Sequence, residues 1–132
     1  MSVLIDTDVA IHWRDKQPEV RERLRRIAAP PFLSFFTRVE LLNGVYREPD
    51  VTAIRAERLS HLLSQSITLP IGGATLGHYE AIIAATGYSR RKVNDRLIAA
   101  TALEHRLMLV TMNAADFRDV PGLVVEDWGA TD

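Results

Sequence analysis

Five acidic residues of this chain stand where an apolar run has just ended or a helix has just begun. Asp6 and Asp8 follow the opening run of "VLIDTDVAI" (3–11), Glu40 closes "TRVE" (37–40), Asp95 lies near the start of "NDRLIAATALEHR" (94–106), and Asp116 sits in "TMNAADF" (111–117). Each has an ordinary role open to it. Asp6, Asp8 and Asp95 suit helix N-caps or first turns, where a carboxylate complements the dipole, and Asp116 suits a turn. Glu40 fits a capping box with Thr37 as N-cap. The two roles for Glu40 make different demands, because a capping box tolerates glutamine whereas a hard metal ion needs the negative charge. Gathered in one cleft, the acids would repel one another and raise each other's pKa, so something positive is expected among them. The chain has no cysteine, and its histidines at 12, 61, 78 and 105 form no closely spaced pair. That leaves zinc without its usual ligands. An all-oxygen cluster suits Mg²⁺ or Mn²⁺, ions that serve phosphate chemistry by activating water and stabilising a leaving oxygen.

The elements that must position these acids alternate in type. "SVLI" (2–5), "FLSF" (32–35), "ITL" (67–69), "LMLVT" (107–111) and "LVV" (123–125) read as short strands bounded by breakers or polar residues. Helical spacing falls between them. A first helix follows Pro18 and ends at Pro30-Pro31; a second begins near Thr37, with Val39, Leu42 and Tyr46 on one side. A third covers about 51–65 with Ala56, Leu59, Leu62 and Leu63 inward, a fourth runs from Ala74 to Thr86 and stops at Gly87, and a fifth covers 94–106. Such alternation implies parallel strands with right-handed crossovers: an α/β fold, a three-layer α/β/α sandwich with a mainly parallel central sheet. Ligands of such sheets sit beyond the carboxyl ends of the strands, where the strand order reverses. Asp6, Asp8, Glu40 and Asp116 all follow strand ends. Asp95 opens a helix leading into a strand, so it joins them only if residues 70–94 cross back over the top.

With 132 residues and 47% hydrophobic content, the chain is expected to form a single domain over 1–132. A formal net charge of −1 excludes a globally basic nucleic-acid binder and leaves room for a local basic patch. Lys16 and Lys92 are the only lysines, so arginine, the better partner for phosphate, carries most of the positive charge. The opening residues resemble no export signal, and no apolar run is long enough to span a bilayer. The expected location is cytoplasmic.

Four motifs taken in order resemble those of the PIN-domain ribonucleases, most closely the VapC toxins of bacterial toxin–antitoxin pairs. "LIDTDVAI" supplies Asp6 and Thr7, "VELLNG" supplies Glu40 and Gly44, "DRLIAATA" supplies Asp95, and "TMNAADF" supplies Thr111, Asn113, Asp116 and Phe117. The resemblance covers nearly the whole chain. It implies a PIN-like fold and a core metal site of Asp6, Glu40 and Asp95, with Asp116 as fourth acid, Thr111 orienting a ligand, and Thr7 and Asn113 in support. It further implies a Mg²⁺ (or Mn²⁺) cofactor, hydrolysis of RNA phosphodiesters by metal-activated water, a VapB-like antitoxin partner and a homodimer. Asp8 departs from the commoner Asn or Ser and adds negative charge. Beside the acids, "HWRDK" (12–16) brings Trp13 and Arg14, and "SRRKVND" (89–95) brings Arg90, Arg91 and Lys92. These are the candidate RNA contacts, since phosphates need positive charge and unpaired bases stack on rings.

Two other classes compete. "VLIDTDVAI" also fits the nucleophile motif of haloacid-dehalogenase-like phosphatases, with Asp6 attacking and Asp8 as acid/base. That reading lacks a suitably placed downstream lysine and a late acidic pair, and it leaves Glu40 without a role. A non-catalytic module whose acids hold a structural metal is the second.

Overall fold

The computed structural model describes residues 2–129; residue 1 and residues 130–132 of the expected domain lie outside the described residues. Five strands form one fully parallel sheet: β1 (Val3–Ile5), β2 (Phe32–Ser34), β3 (Ile67–Leu69), β4 (Met108–Thr111) and β5 (Val125–Asp127), in the order β3-β2-β1-β4-β5. β1 is central. The chain steps outward through β2 and β3 on one side, then returns to place β4 and β5 on the other, so the order reverses between β1 and β4. Val3, Leu4 and Ile5 lie opposite Met108, Leu109 and Val110, and the Asp6 amide donates to the Val110 carbonyl at 2.8 Å.

Alternation along the strands divides the core. Val3, Ile5, Leu33 and Val110 face one side, where they meet α1 (Thr7–Arg14), α2 (Pro18–Arg26), α3 (Phe35–Arg47) and α4 (Thr52–Ser64). Leu4 and Leu109 face the other, against α5 (Gly73–Thr86), α6 (Val93–His105) and Phe117. Ala99, Ala100 and Ala102 of α6 are fully buried, their small side chains letting the helix lie close to its neighbours. The three-layer architecture expected from the sequence is thus the one observed.

Five elements depart from expectation. α2 ends at Arg26 rather than at Pro30-Pro31, because Ile27 already turns to extended backbone. α1 was not foreseen: Asp6 ends β1 in extended conformation and caps a helix of only eight residues through the Thr7 amide. α3 begins at Phe35, earlier than Thr37, because the buried Ser34 hydroxyl takes the cap and accepts from the Thr37 amide at 2.9 Å. β5 lies two residues later than "LVV", where pairing with β4 fixes it. Ala56, expected to face inward, is exposed. The expected stop at Gly87 is observed: the residue caps α5 at φ +88°, a conformation that disfavours any side chain.

Candidate active site

Asp6 leaves the central strand at the reversal point and is only 6% exposed. One carboxylate oxygen accepts from the Thr7 amide at 2.8 Å, and the other accepts from the Thr111 hydroxyl, also at 2.8 Å. Thr111 ends β4, the neighbouring strand, and its own hydroxyl accepts from the Asn113 amide at 3.1 Å. Asp8, one residue into α1, reaches the same strand end: the Met112 amide donates to it at 3.2 Å, with the Thr111 hydroxyl 3.4 Å away. Two carboxylates therefore share the surroundings of a single hydroxyl.

Glu40 is not the closing member of a capping box. Ser34, not Thr37, is the N-cap of α3, and Glu40 accepts from the Thr7 hydroxyl at 2.7 Å. Behind it runs a line of hydroxyls. Ser34 donates to Thr37 at 3.2 Å, and Thr37 stands 3.0 Å from Thr7. Because the single Thr7 proton is committed to Glu40, Thr37 donates to Thr7, and the relay points from Ser34 toward the carboxylate. Ser34 and Thr37 were not anticipated in this role. The signal was the hydroxyl at the strand end three residues before Thr37, the spacing of a cap.

Asp95 joins the group. α5 and α6 run antiparallel, with Thr75 near the start of one bonded to Glu104 near the end of the other at 2.5 Å. The required return is thus made by α5 itself, which leaves the start of α6 at the acid-lined edge. Asp95 is half-buried. Its pKa is raised by burial first, then by Asp116, Glu40 and Asp8, and partly relieved by Arg96. Asp6 is raised from 3.8 to about 7, by burial first and then by Asp8, with Asp95 adding to the effect and the Thr111 and Thr7 hydrogen bonds opposing it. Burial also raises Asp8. Asp116 and Asn113 are exposed on the turn after β4.

The basic candidates separate into two sets. Arg90 and Arg91 are exposed and Lys92 is half-buried in the 3-10 turn Arg90–Lys92, immediately before α6. That turn flanks Asp95. Trp13 and Arg14 lie at the far end of α1, roughly 10 Å along its axis from Thr7. Trp13 packs against the first core cluster, and Arg14 is buried and paired with Asp15 at 3.0 Å. A Cβ added to Gly44 would lie 3.4 Å from the Arg14 guanidinium, an ordinary van der Waals contact, so packing against α1 does not by itself require glycine there. Both Trp13 and Arg14 line a cleft of about 1180 Å³ between α1, α2 and α4, with none of the five acids on its walls.

The charges around these acids bear on whether a divalent ion fits them. Among the described residues no lysine or arginine forms an ion pair with Asp6, Asp8, Glu40, Asp95 or Asp116. The donors are all hard oxygens, and burial and then Asp8 push Asp6 up to about 7. Donor type and charge therefore fit Mg²⁺ or Mn²⁺. Among the described residues, no three acids or histidines yet meet closely enough to form a finished cage.

Comparison with known proteins follows the same lines. The family model for the PIN domain matches residues 3–123. The tRNA(fMet)-specific endonuclease VapC of Shigella flexneri is 28% identical over 131 residues, covering 97% of this chain and 98% of its own. VapBC2 from Rickettsia felis, solved bound to a DNA fragment from its promoter, superposes with a TM-score of 0.86 at 22% identity, covering 97% of this chain and 99% of the other. A toxin–antitoxin complex from Klebsiella pneumoniae gives a TM-score of 0.74 at 25% identity over 92% of this chain and 95% of the other. A family match that runs from β1 past the turn bearing Asp116, on a sheet whose reversal point gathers these acids, assigns the chain: it belongs to the PIN domain family.

Proposed function

We propose that this chain is a Mg²⁺- or Mn²⁺-dependent endoribonuclease, the VapC-type toxin of a toxin–antitoxin pair, with Asp6, Glu40, Asp95 and Asp116 as its metal-binding and catalytic acids. The observation that carries the reading is the diversion of Glu40 from its own helix cap to the Thr7 hydroxyl, one residue from the buried Asp6. A divalent ion held by these acids supplies the positive charge that favours attack of water on phosphorus and departure of the leaving oxygen. The chain's residues supply the rest. Thr111 and Thr7 fix the orientation of Asp6 and Glu40, while Arg90, Arg91 and Lys92 offer phosphate contacts beside Asp95. Water adds to phosphorus, one P–O ester bond breaks, and the leaving oxygen takes a proton.

The phosphatase reading fits less well. Both Asp6 oxygens already accept hydrogen bonds and the residue is buried, a poor setting for a nucleophile. Lys16 lies beyond the far end of α1, and Lys92 approaches Asp119 instead.

The partners belong to the same proposal: a VapB-like antitoxin, as the Klebsiella complex has an antitoxin, and a second copy of this chain. Support for the homodimer comes from α3, where Phe35, Val39, Leu42 and Tyr46 form a stripe 41–68% exposed. The relative from Shigella makes tRNA(fMet) the first RNA to try. Wild type is expected to cleave RNA only with Mg²⁺ or Mn²⁺. Glu40→Gln should melt close to wild type and lose cleavage by about 100-fold or more. Undiminished cleavage by the variant removes Glu40 from the site; a metal that raises the melting temperature of a protein cleaving no RNA favours the non-catalytic module.

A further inference from the structure

Arg96, the residue after Asp95, is a charged side chain almost wholly inside the protein, 3% exposed. Its guanidinium donates twice to Asp119, at 2.7 and 2.9 Å, while its Nε is buried without a partner. Asp119 lies just beyond the 3-10 turn Ala114–Phe117, and Lys92 stands 3.9 Å from the same carboxylate. The fork therefore crosses the seam between the first turn of α6 and the segment after β4. Asp95 and Asp116 stand on opposite sides of that seam, and Asp116 is the charge that most raises Asp95. Like charges on the two sides of the seam disfavour each other's ionised form.

We propose that the Arg96–Asp119 fork is a positioning device for the acid site, fixing the separation of Asp95 and Asp116 against their mutual repulsion. The proposal rests on the acid cluster being the metal-dependent active site. Stability alone does not account for the fork. Arg96 lies inside with its Nε unpartnered while the Asp119 side chain is 47% exposed, so solvent screens the pair and limits what it adds to stability. What the planar guanidinium adds is two-point geometry, which sets distance and angle together; lysine, a point charge on a flexible stem, does not. Phe117 and Val120 anchor the same segment in the core beside Ile98 and Ala99, so the fork governs the lip of the site rather than its attachment.

The test uses Arg96→Met combined with Asp119→Leu, which strands neither charge, and Arg96→Lys alone. Mn²⁺ affinity is measured by calorimetry without RNA, alongside melting temperature and kcat and KM for an RNA that wild type cleaves. The double variant should melt close to wild type, bind Mn²⁺ about 10- to 100-fold more weakly, and lose kcat with little change in KM. Arg96→Lys should fall between. Wild-type Mn²⁺ affinity in the folded double variant, or in Arg96→Lys should the double variant fail to fold, overturns the proposal, as does a loss of affinity that merely follows a collapse in melting temperature. Asp95→Asn separates the two levels. If it retains Mn²⁺ binding, the acid-site reading fails and takes the proposal with it; if it abolishes binding while the double variant retains it, only the positioning role falls.

Discussion

Asp6 is buried beside a second carboxylate, and its effect on stability has a definite sign. In the unfolded chain its proton leaves near 3.8, whereas in the folded, metal-free protein it stays until about 7. Below the lower value both states hold the proton and no penalty exists; between the two values the native state binds more protons, so stability falls as pH rises. Asp8 and Asp95, both raised, act in the same direction. Thermal melts in chelator should therefore show a lower melting temperature at about pH 8 than at about pH 5, and Mg²⁺ or Mn²⁺ should shrink the difference. Asp6→Asn should flatten the chelator curve, and a slope unchanged by that substitution would show that the penalty lies elsewhere. The acids themselves were legible in the sequence as types and positions. Their hydroxyl partners were less so, because a threonine's choice between Glu40 and a helix cap depends on a strand and a helix 30 residues apart.

The elements show why the helix boundaries near the site were the hardest to read. α1 has eight residues and opens with two acids, so it looks like a turn; Asp6 acts as cap and site residue at once. In α3 the run "FLSFF" looks extended, yet the buried Ser34 hydroxyl starts the helix at once. The longer, breaker-bounded helices from Thr52 to His105 were legible to within a residue or two. The location of Asp95 turned on the antiparallel course of α5, which no local pattern encodes. Ser34 consequently has two functions that one substitution separates. Ser34→Ala should destabilise by about 1 kcal/mol through the lost cap, a fall of a few degrees in melting temperature. It should also weaken Mn²⁺ binding, because Thr37 then loses a donor in the line that ends at Glu40. A variant that loses stability with unchanged Mn²⁺ affinity would reduce the hydroxyl line to packing.

At the scale of the whole molecule, the exposed stripe of α3 is the feature the isolated chain leaves uncovered. Phe35, Val39, Leu42 and Tyr46 recur at helical spacing on the face turned away from the core, and Leu76 of α5 is 62% exposed as well. "Val39, Leu42 and Tyr46 on one side" was readable from the sequence; that this side faces solvent was not, since periodicity reveals a stripe without saying what meets it. Burying such a surface between two copies is favourable in proportion to the apolar area removed from water. Sedimentation should find the wild type dimeric and Leu42→Glu monomeric, with the variant's fold intact by circular dichroism. A monomeric wild type at micromolar concentration would argue against self-association through this face.

The sheet order has a consequence in time. Asp6 and the hydroxyl that orients it are 105 positions apart in the chain. With synthesis running from the amino end at roughly 5–20 residues per second, Asp6 waits on the order of 5–20 s for Thr111 to exist. β4 must then insert beside β1 before the acids are brought together. A chain synthesised only as far as Asp95 therefore still lacks the strand and the hydroxyl that orient Asp6. On the nuclease reading, β4 is a safety catch: the acid site is complete only once that strand has been made and has paired with β1.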